Sequence, residues 1–115
     1  MGFKTEERIR RRVDFQQAYE HGCRVHSRYS TLFTRPNSLS VGRLGIAATR
    51  KLGGAVERNR AKRLIREIFR RNKIAPGFDV IVVPKRELLN ASLKSLEEDY
   101  RHNLARSLRQ GGQLG

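Results

Sequence analysis

A chain of 115 residues has room for one domain around one core, here read as a single domain over 1–115. Its 37% hydrophobic content excludes global disorder, and it contains no apolar run long enough to span a bilayer. The 25 Lys and Arg against 11 Asp and Glu, a net +14, demand an anionic partner, with nucleic acid ahead of an anionic membrane.

Residues 1–12, "MGFKTEERIRRR", form a basic arm without the apolar stretch of a secretory signal. In "VDFQQAYEHG", Asp14 is placed as an N-cap, Phe15, Ala18 and Tyr19 step at helical spacing, and Gly22 is a stop, which predicts a helix over 14–21. "RVHSRYSTLFTRP" alternates and is β-branched and aromatic, so it reads as one strand ending before Pro36. Val25, Tyr29, Thr31 and Phe33 would share one face, and His26, Arg28, Ser30 and Leu32 the other. "RLGIAATRK" reads as a second strand with Leu44, Ile46 and Ala48 on one face.

A glycine turn, "LGGAV", then leads to a helix over 57–72. Ala61, Leu64, Ile65, Ile68 and Phe69 line up one buried stripe. "DVIVV" predicts a strand covered on both faces, ended by Pro84. The last helix, 92–109, carries Leu93, Leu96, Tyr100, Leu104 and Leu108 at helical spacing. Its acids Glu97, Glu98 and Asp99 lie early, as a helix dipole prefers. A loose tail is expected over 110–115. The order is α-β-β-α-β-α, an α+β fold in which a strand–helix–strand unit over 43–83 makes a parallel pair within a mixed sheet.

The central helix concentrates the charge. Residues 50–73 hold ten Lys or Arg and two acids, Glu57 and Glu67, a net +8. With the apolar stripe inward, Asn59, Arg63, Arg66 and Arg70 face outward, flanked by Arg58 and Lys62, with Arg50 and Lys51 just before the helix. A merely solvated face mixes signs in i, i+4 pairs, so this one-sign stripe favours nucleic acid. The glycines Gly53 and Gly54 would let backbone amides approach a phosphate at the helix N-terminus. No helix-turn-helix precedes this helix, and a sheet-plus-helix surface suits RNA better than a DNA groove. Phe15, Tyr19 and Phe33 are either core or a stacking surface for unpaired bases.

Catalytic chemistry is hard to find. Asp14, Asp79 and Asp99 lie in different elements, "HGCRVH" lacks a structural-zinc spacing, and no phosphate-loop or dinucleotide fingerprint is present. The reading assigns no catalytic residue and no metal ligand. Cys23 is alone, which precludes an internal disulfide and fits a reducing, cytoplasmic setting.

These residues also carry a resemblance. "RKLGGAVERNRAKRLIRE", Arg50 to Glu67, closely resembles the signature of the bacterial ribonuclease P protein component. The basic pair Arg50-Lys51, Gly53, Ala55-Val56, Arg58-Asn59, Lys62-Arg63 and Arg66-Glu67 stand at the family's spacing, and "RIRRRVDFQQAYEHG" looks like its start. The resemblance implies an α/β sandwich, ribosomal-protein-S5-domain-2-like, with a left-handed βαβ crossover. It implies a protein subunit that binds a catalytic RNA through Arg50, Lys51, Arg58, Asn59, Lys62, Arg63, Arg66 and Arg70. It implies a cleft of Phe15, Tyr19 and Phe33 for the 5′ leader of precursor tRNA. Mg²⁺, held mainly by the RNA, would support removal of the leader. No membrane and no stable protein partner are expected. The rival reading is a ribosomal or chaperone-like RNA-binding protein without a ribozyme partner.

Overall fold

The computed structural model describes residues 7–74 and 76–114, with the side chains of residue 108 and residues 110–114 outside the description. Helix α1 is Arg12–His21, followed by strands β1 Cys23–His26, β2 Ser30–Pro36 and β3 Arg43–Ile46. Helix α2 is Ala55–Arg71, strand β4 is Phe78–Pro84 and helix α3 is Leu93–Leu114. Short 3₁₀ turns at Arg50–Leu52 and Arg86–Asn90 lead into α2 and α3.

The four strands lie in the order β1-β2-β4-β3. β1 and β2 pair antiparallel, as do β2 and β4, while β3 and β4 are parallel with α2 as their crossover. The expected mixed α+β sheet with one parallel pair therefore holds. β4 is central, which explains its unbroken apolar run: Val80, Ile81 and Val82 are all buried because both faces are covered.

The two faces differ in depth. Leu32, Leu44, Val80 and Val82 point into a large core with Ala61, Ile65, Ile68 and Phe69 of α2 and Leu96 and Tyr100 of α3. The predicted α2 stripe is thus the main anchor, with Leu64 half-buried at its margin. On the opposite face, Ile9, Ala18 and Ile81 form a small core, with Phe15, Phe33 and Val83 packed against it.

The segment read as one strand is a hairpin. Ser27 Oγ accepts from the amides of Tyr29 (3.3 Å) and Ser30 (3.2 Å) and donates to Asp99 Oδ2 in α3 at 2.7 Å. This serine turn, held by a residue far along the chain, bends the backbone without Gly or Pro. The register pairs Val25 with Leu32 and Arg24 with Phe33, so Val25 belongs to the large-core face and not with Phe33 as expected. Tyr29, at the bend, also packs against the large core. β2 runs through Pro36 instead of ending before it, because β4 pairs with it as far as Phe78.

Helix α1 begins two residues before the expected start. Its N-cap is Arg11, which makes no side-chain cap, and Asp14 lies inside the first turn, where Arg11 Nε donates to it at 3.2 Å. Asp14 is therefore not the cap; its carboxylate turns outward to arginines instead of back to the amides. Glu97 and Asp99 do more than complement a dipole. Asn72 Nδ2 donates to Glu97 Oε2 at 2.6 Å, and Arg101 Nε donates to Asn72 Oδ1 at 2.6 Å, joining α3 to the end of α2. Part of the basic arm, residues 1–6, lies outside the described residues. From Glu7 it is docked: Ile9 N–H donates to Leu44 O at 2.9 Å, and Lys73 Nζ lies 3.0 Å from Glu7. Of the tail expected over 110–115, Gly115 lies outside the description, while the backbone to Leu114 continues α3. A packed helical stem adds one hydrogen bond per residue as it extends.

Candidate nucleic-acid interface

The apolar side of α2 fixes where its cations go. With Ala61 and Phe69 fully buried, Asn59, Arg63, Arg66 and Arg70 are exposed, and Arg58 and Lys62 sit half-buried at the flanks. Arg50 and Lys51 are exposed on the preceding 3₁₀ turn. Arg60 is exposed as well; its position among the stripe's neighbours in sequence obscured that it joins the same solvent side. Lys62 and Arg66 also line a recess of about 130 Å³ with Arg8, Ile9, Leu44 and Ile46, so the docked arm extends the basic surface past the β3 edge.

Arg70 differs from Arg63 and Arg66. It donates through Nε and Nη2 to Glu67, which Arg71 also approaches at 3.3 Å. The hydrogen bond from Arg70 holds the Glu67 carboxyl below its ordinary pKa and raises that of Arg70. The helix thus presents its unneutralised charge mainly from Arg58 to Arg66, ahead of the Glu67 pairs.

The glycine pair serves the helix itself. Gly54 N–H donates to Glu57 Oε1 at 3.0 Å, so a side-chain carboxylate already occupies the amide that was expected to meet a phosphate. Gly53 has φ 133°, and a Cβ there would lie 2.8 Å from the same Glu57 oxygen. Gly53 is needed for that backbone conformation and for the close approach of Glu57.

On the other face, α1 crosses β2 and β4. Tyr19 meets Phe33 edge-on, with ring centroids 4.9 Å apart and planes at 72°, and Phe15 lies 6.4 Å from Tyr19. Phe15 and Phe33 are half-buried against Ile9, Ala18 and Ile81, whereas Tyr19 is 43% exposed. Burial raises the Tyr19 pKa, keeping the hydroxyl protonated. The three rings the sequence singled out therefore come together, part core and part surface. Gly45 makes this possible: a Cβ there would come within 3.0 Å of Phe15 Cζ and 3.2 Å of Ile9 Cβ. A glycine inside a strand signals such an approach. Register adds Arg24 beside Phe33, and His26 beside Thr31, with His26 Nδ1 3.1 Å from Thr31 Oγ1. These neighbours were hidden while the hairpin was read as one strand.

One end of this face is closed by charge. Arg43 donates to both oxygens of the buried Asp79, at 2.8 and 2.7 Å, and Asn37 Nδ2 donates to Asp79 at 2.8 Å. Asp14 lies 3.8 Å from Arg43 on its other side. The hydrogen bond to Asp79 raises the Arg43 pKa. Asp14 and Asp79 thus share a guanidinium and do not open toward a common cation. Among the described residues, no group of three or more His, Cys, Asp or Glu is placed to hold a metal ion, and no helix is long and apolar enough to cross a membrane.

Together these features define a class: a basic α+β protein with a cationic helix on one face of its sheet and an aromatic surface on the other. The family model for Ribonuclease P matches residues 3–108. The ribonuclease P protein component of Thermotoga maritima is 44% identical over 88 residues, 75% of each chain. The solved RNase P protein from Thermotoga maritima superposes with a TM-score of 0.78 at 38% identity, covering 87% of this chain and 96% of that one. The solved Staphylococcus aureus RNase P protein gives 0.76 at 33% identity, covering 86% and 93%. The chain belongs to the ribonuclease P protein family.

Proposed function

We propose that the chain is the protein subunit of a ribonuclease P. It docks on the catalytic RNA through α2 and holds the 5′ leader of precursor tRNA against the rings of α1 and β2. The observation that carries this reading is the division of the sheet. The exposed cations of α2 and the partly open rings of Phe15, Tyr19 and Phe33 lie on opposite faces, so two RNA segments can be bound without competing.

The division of labour follows from charge. A catalytic RNA and its precursor substrate repel each other, and a +14 protein between them reduces that repulsion. Exposed bases of a single-stranded leader stack on aromatic rings with little sequence preference. Mg²⁺, when bound, supplies the chemistry that activates water. Asp14 and Asp79 are both engaged by Arg43 and do not fit a hard-cation site, so Mg²⁺ is assigned mainly to the RNA.

The test is reconstitution. The purified protein, a ribonuclease P catalytic RNA and a precursor tRNA are combined at low Mg²⁺, and release of the 5′ leader is followed on a gel. Cleavage that requires the RNA and is strongly stimulated by the protein is the expected result. RNA binding without stimulation would favour the ribosomal or chaperone-like reading, and cleavage by the protein alone would make it a nuclease in its own right.

A further inference from the structure

Four large hydrophobic side chains are exposed among the described residues: Val13 at 49%, Tyr19 at 43%, Leu39 at 46% and Val56 at 76%. Val56 stands apart in degree and in place. It is in the first turn of α2, beside the exposed Ala55, with Arg50 and Lys51 just before it. Asn59, Arg60 and Arg63, at i+3, i+4 and i+7, continue the same side of the helix and are all exposed.

Folding gives no reason for a valine here. The large core takes its α2 contribution from Ala61, Leu64, Ile65, Ile68 and Phe69, not from Val56. A β-branched side chain is a poorer helix former than alanine, and exposed apolar surface gains nothing in water. The nearest acid, Glu57, turns its carboxylate back to the Gly54 amide at 3.0 Å. What remains is an apolar knob on the helix side that carries Arg60 and Arg63, with Arg50 and Lys51 before it in the chain, a surface suited to a polyanion that also offers flat, weakly hydrated area.

We infer that Val56 packs against a ribose or base face of the catalytic RNA, supplying an apolar contact at the first turn of the cationic helix. This rests on the docking role proposed for α2. The surrounding arginines and lysine bring the phosphates close, and Val56 makes contact with what lies between them. An apolar contact releases no counterions, so its effect on affinity is independent of salt, unlike that of an arginine on a phosphate.

The experiment measures affinity of the full-length protein for the catalytic RNA over a range of salt concentrations, for wild type, Val56→Ala, Val56→Thr and Arg63→Ala. Val56→Thr keeps the shape and β-branching, and Val56→Ala improves helix propensity, so free-protein melting temperatures at or above wild type are expected for the alanine variant. Both Val56 variants should bind about five- to tenfold more weakly, with the log-affinity against log-salt lines parallel to wild type. Unchanged affinity for Val56→Ala, or a changed slope, would overturn the inference. Arg63→Ala separates the two levels of the argument. If it alters affinity and slope while Val56→Ala does neither, only the apolar contact fails. If Arg63→Ala alters nothing, the docking role of α2 fails, and the Val56 contact with it.

Discussion

Helices α1 and α2 lie on opposite faces of one sheet and meet it in different ways. α2 commits Ala61, Ile65, Ile68 and Phe69 wholly to the interior, which leaves its other side free to carry cations around the exposed Val56. α1 buries only Ala18 fully, and its aromatic residues are divided between packing and solvent. A helix with a complete apolar stripe can separate anchoring from binding by face. A helix with a thin one must use the same rings for both, so its binding surface and its stability are coupled.

The largest expected effect tests that difference directly. Phe69 is fully buried, and Phe69→Ala should cost about 3–5 kcal/mol in urea unfolding, a large share of the ~5–15 kcal/mol that holds a small domain folded. Phe15 is half-buried in the smaller core, and Phe15→Ala should cost only about 1–2 kcal/mol. The functional ranking should reverse among folded variants: Phe15→Ala should weaken binding of precursor tRNA by about 1–3 kcal/mol while sparing mature tRNA. Equal losses for precursor and mature tRNA would reduce Phe15 to a packing residue and remove the contrast between the two helices.

A smaller effect sharpens the picture within α2. Arg63→Ala and Arg66→Ala should each weaken binding to the catalytic RNA and lower the salt slope by roughly one. Arg70→Ala should lower it by less, because Arg70 is already paired with Glu67. Glu67→Gln is the complementary change. It releases Arg70 and Arg71 together, so affinity should rise and the salt dependence steepen. Identical slopes for Arg63→Ala and Arg70→Ala would mean that the Glu67 pairs open in the complex and that the whole helix length acts alike.

The sequence made these two faces unequally legible. The α2 stripe and the central β4 run could be read because each is a local pattern, a 3.6-residue period in one and a continuous apolar run in the other. The α1 face depended on register. Arg24 lies beside Phe33 only because the chain turns at Ser27, and that turn is held by Asp99 in α3. No periodicity within 24–36 contains that information. The role of Glu57 was missed for a related reason. A glycine pair before a helix suggests an open anion site, whereas the acid three residues beyond Gly54 folds back to close it. That spacing was available in the sequence and argued for a self-capped helix.

The smallest effect concerns how α3 fits the deeper core. Tyr100 is buried there, and its hydroxyl has no hydrogen-bond partner among the described residues. Burial pushes its pKa well up, since the phenolate would be desolvated. In the unfolded chain the same group titrates near its ordinary value of about 10. The folded state therefore holds its proton over a range where the unfolded state releases it, and stability falls as pH rises beyond about 10. Tyr19 is shifted in the same direction by its own burial and contributes to the same slope. Tyr100→Phe removes a buried hydroxyl that has lost its water partners, so at neutral pH it should be neutral or stabilising by about 1 kcal/mol. It should also make the loss of stability as pH rises above about 10, the ordinary tyrosine pKa, shallower. Urea unfolding at a series of pH values measures both. A variant clearly less stable than wild type at pH 7 would show that the hydroxyl is satisfied in solution, and the deep face would then hold α3 by polar as well as apolar contact.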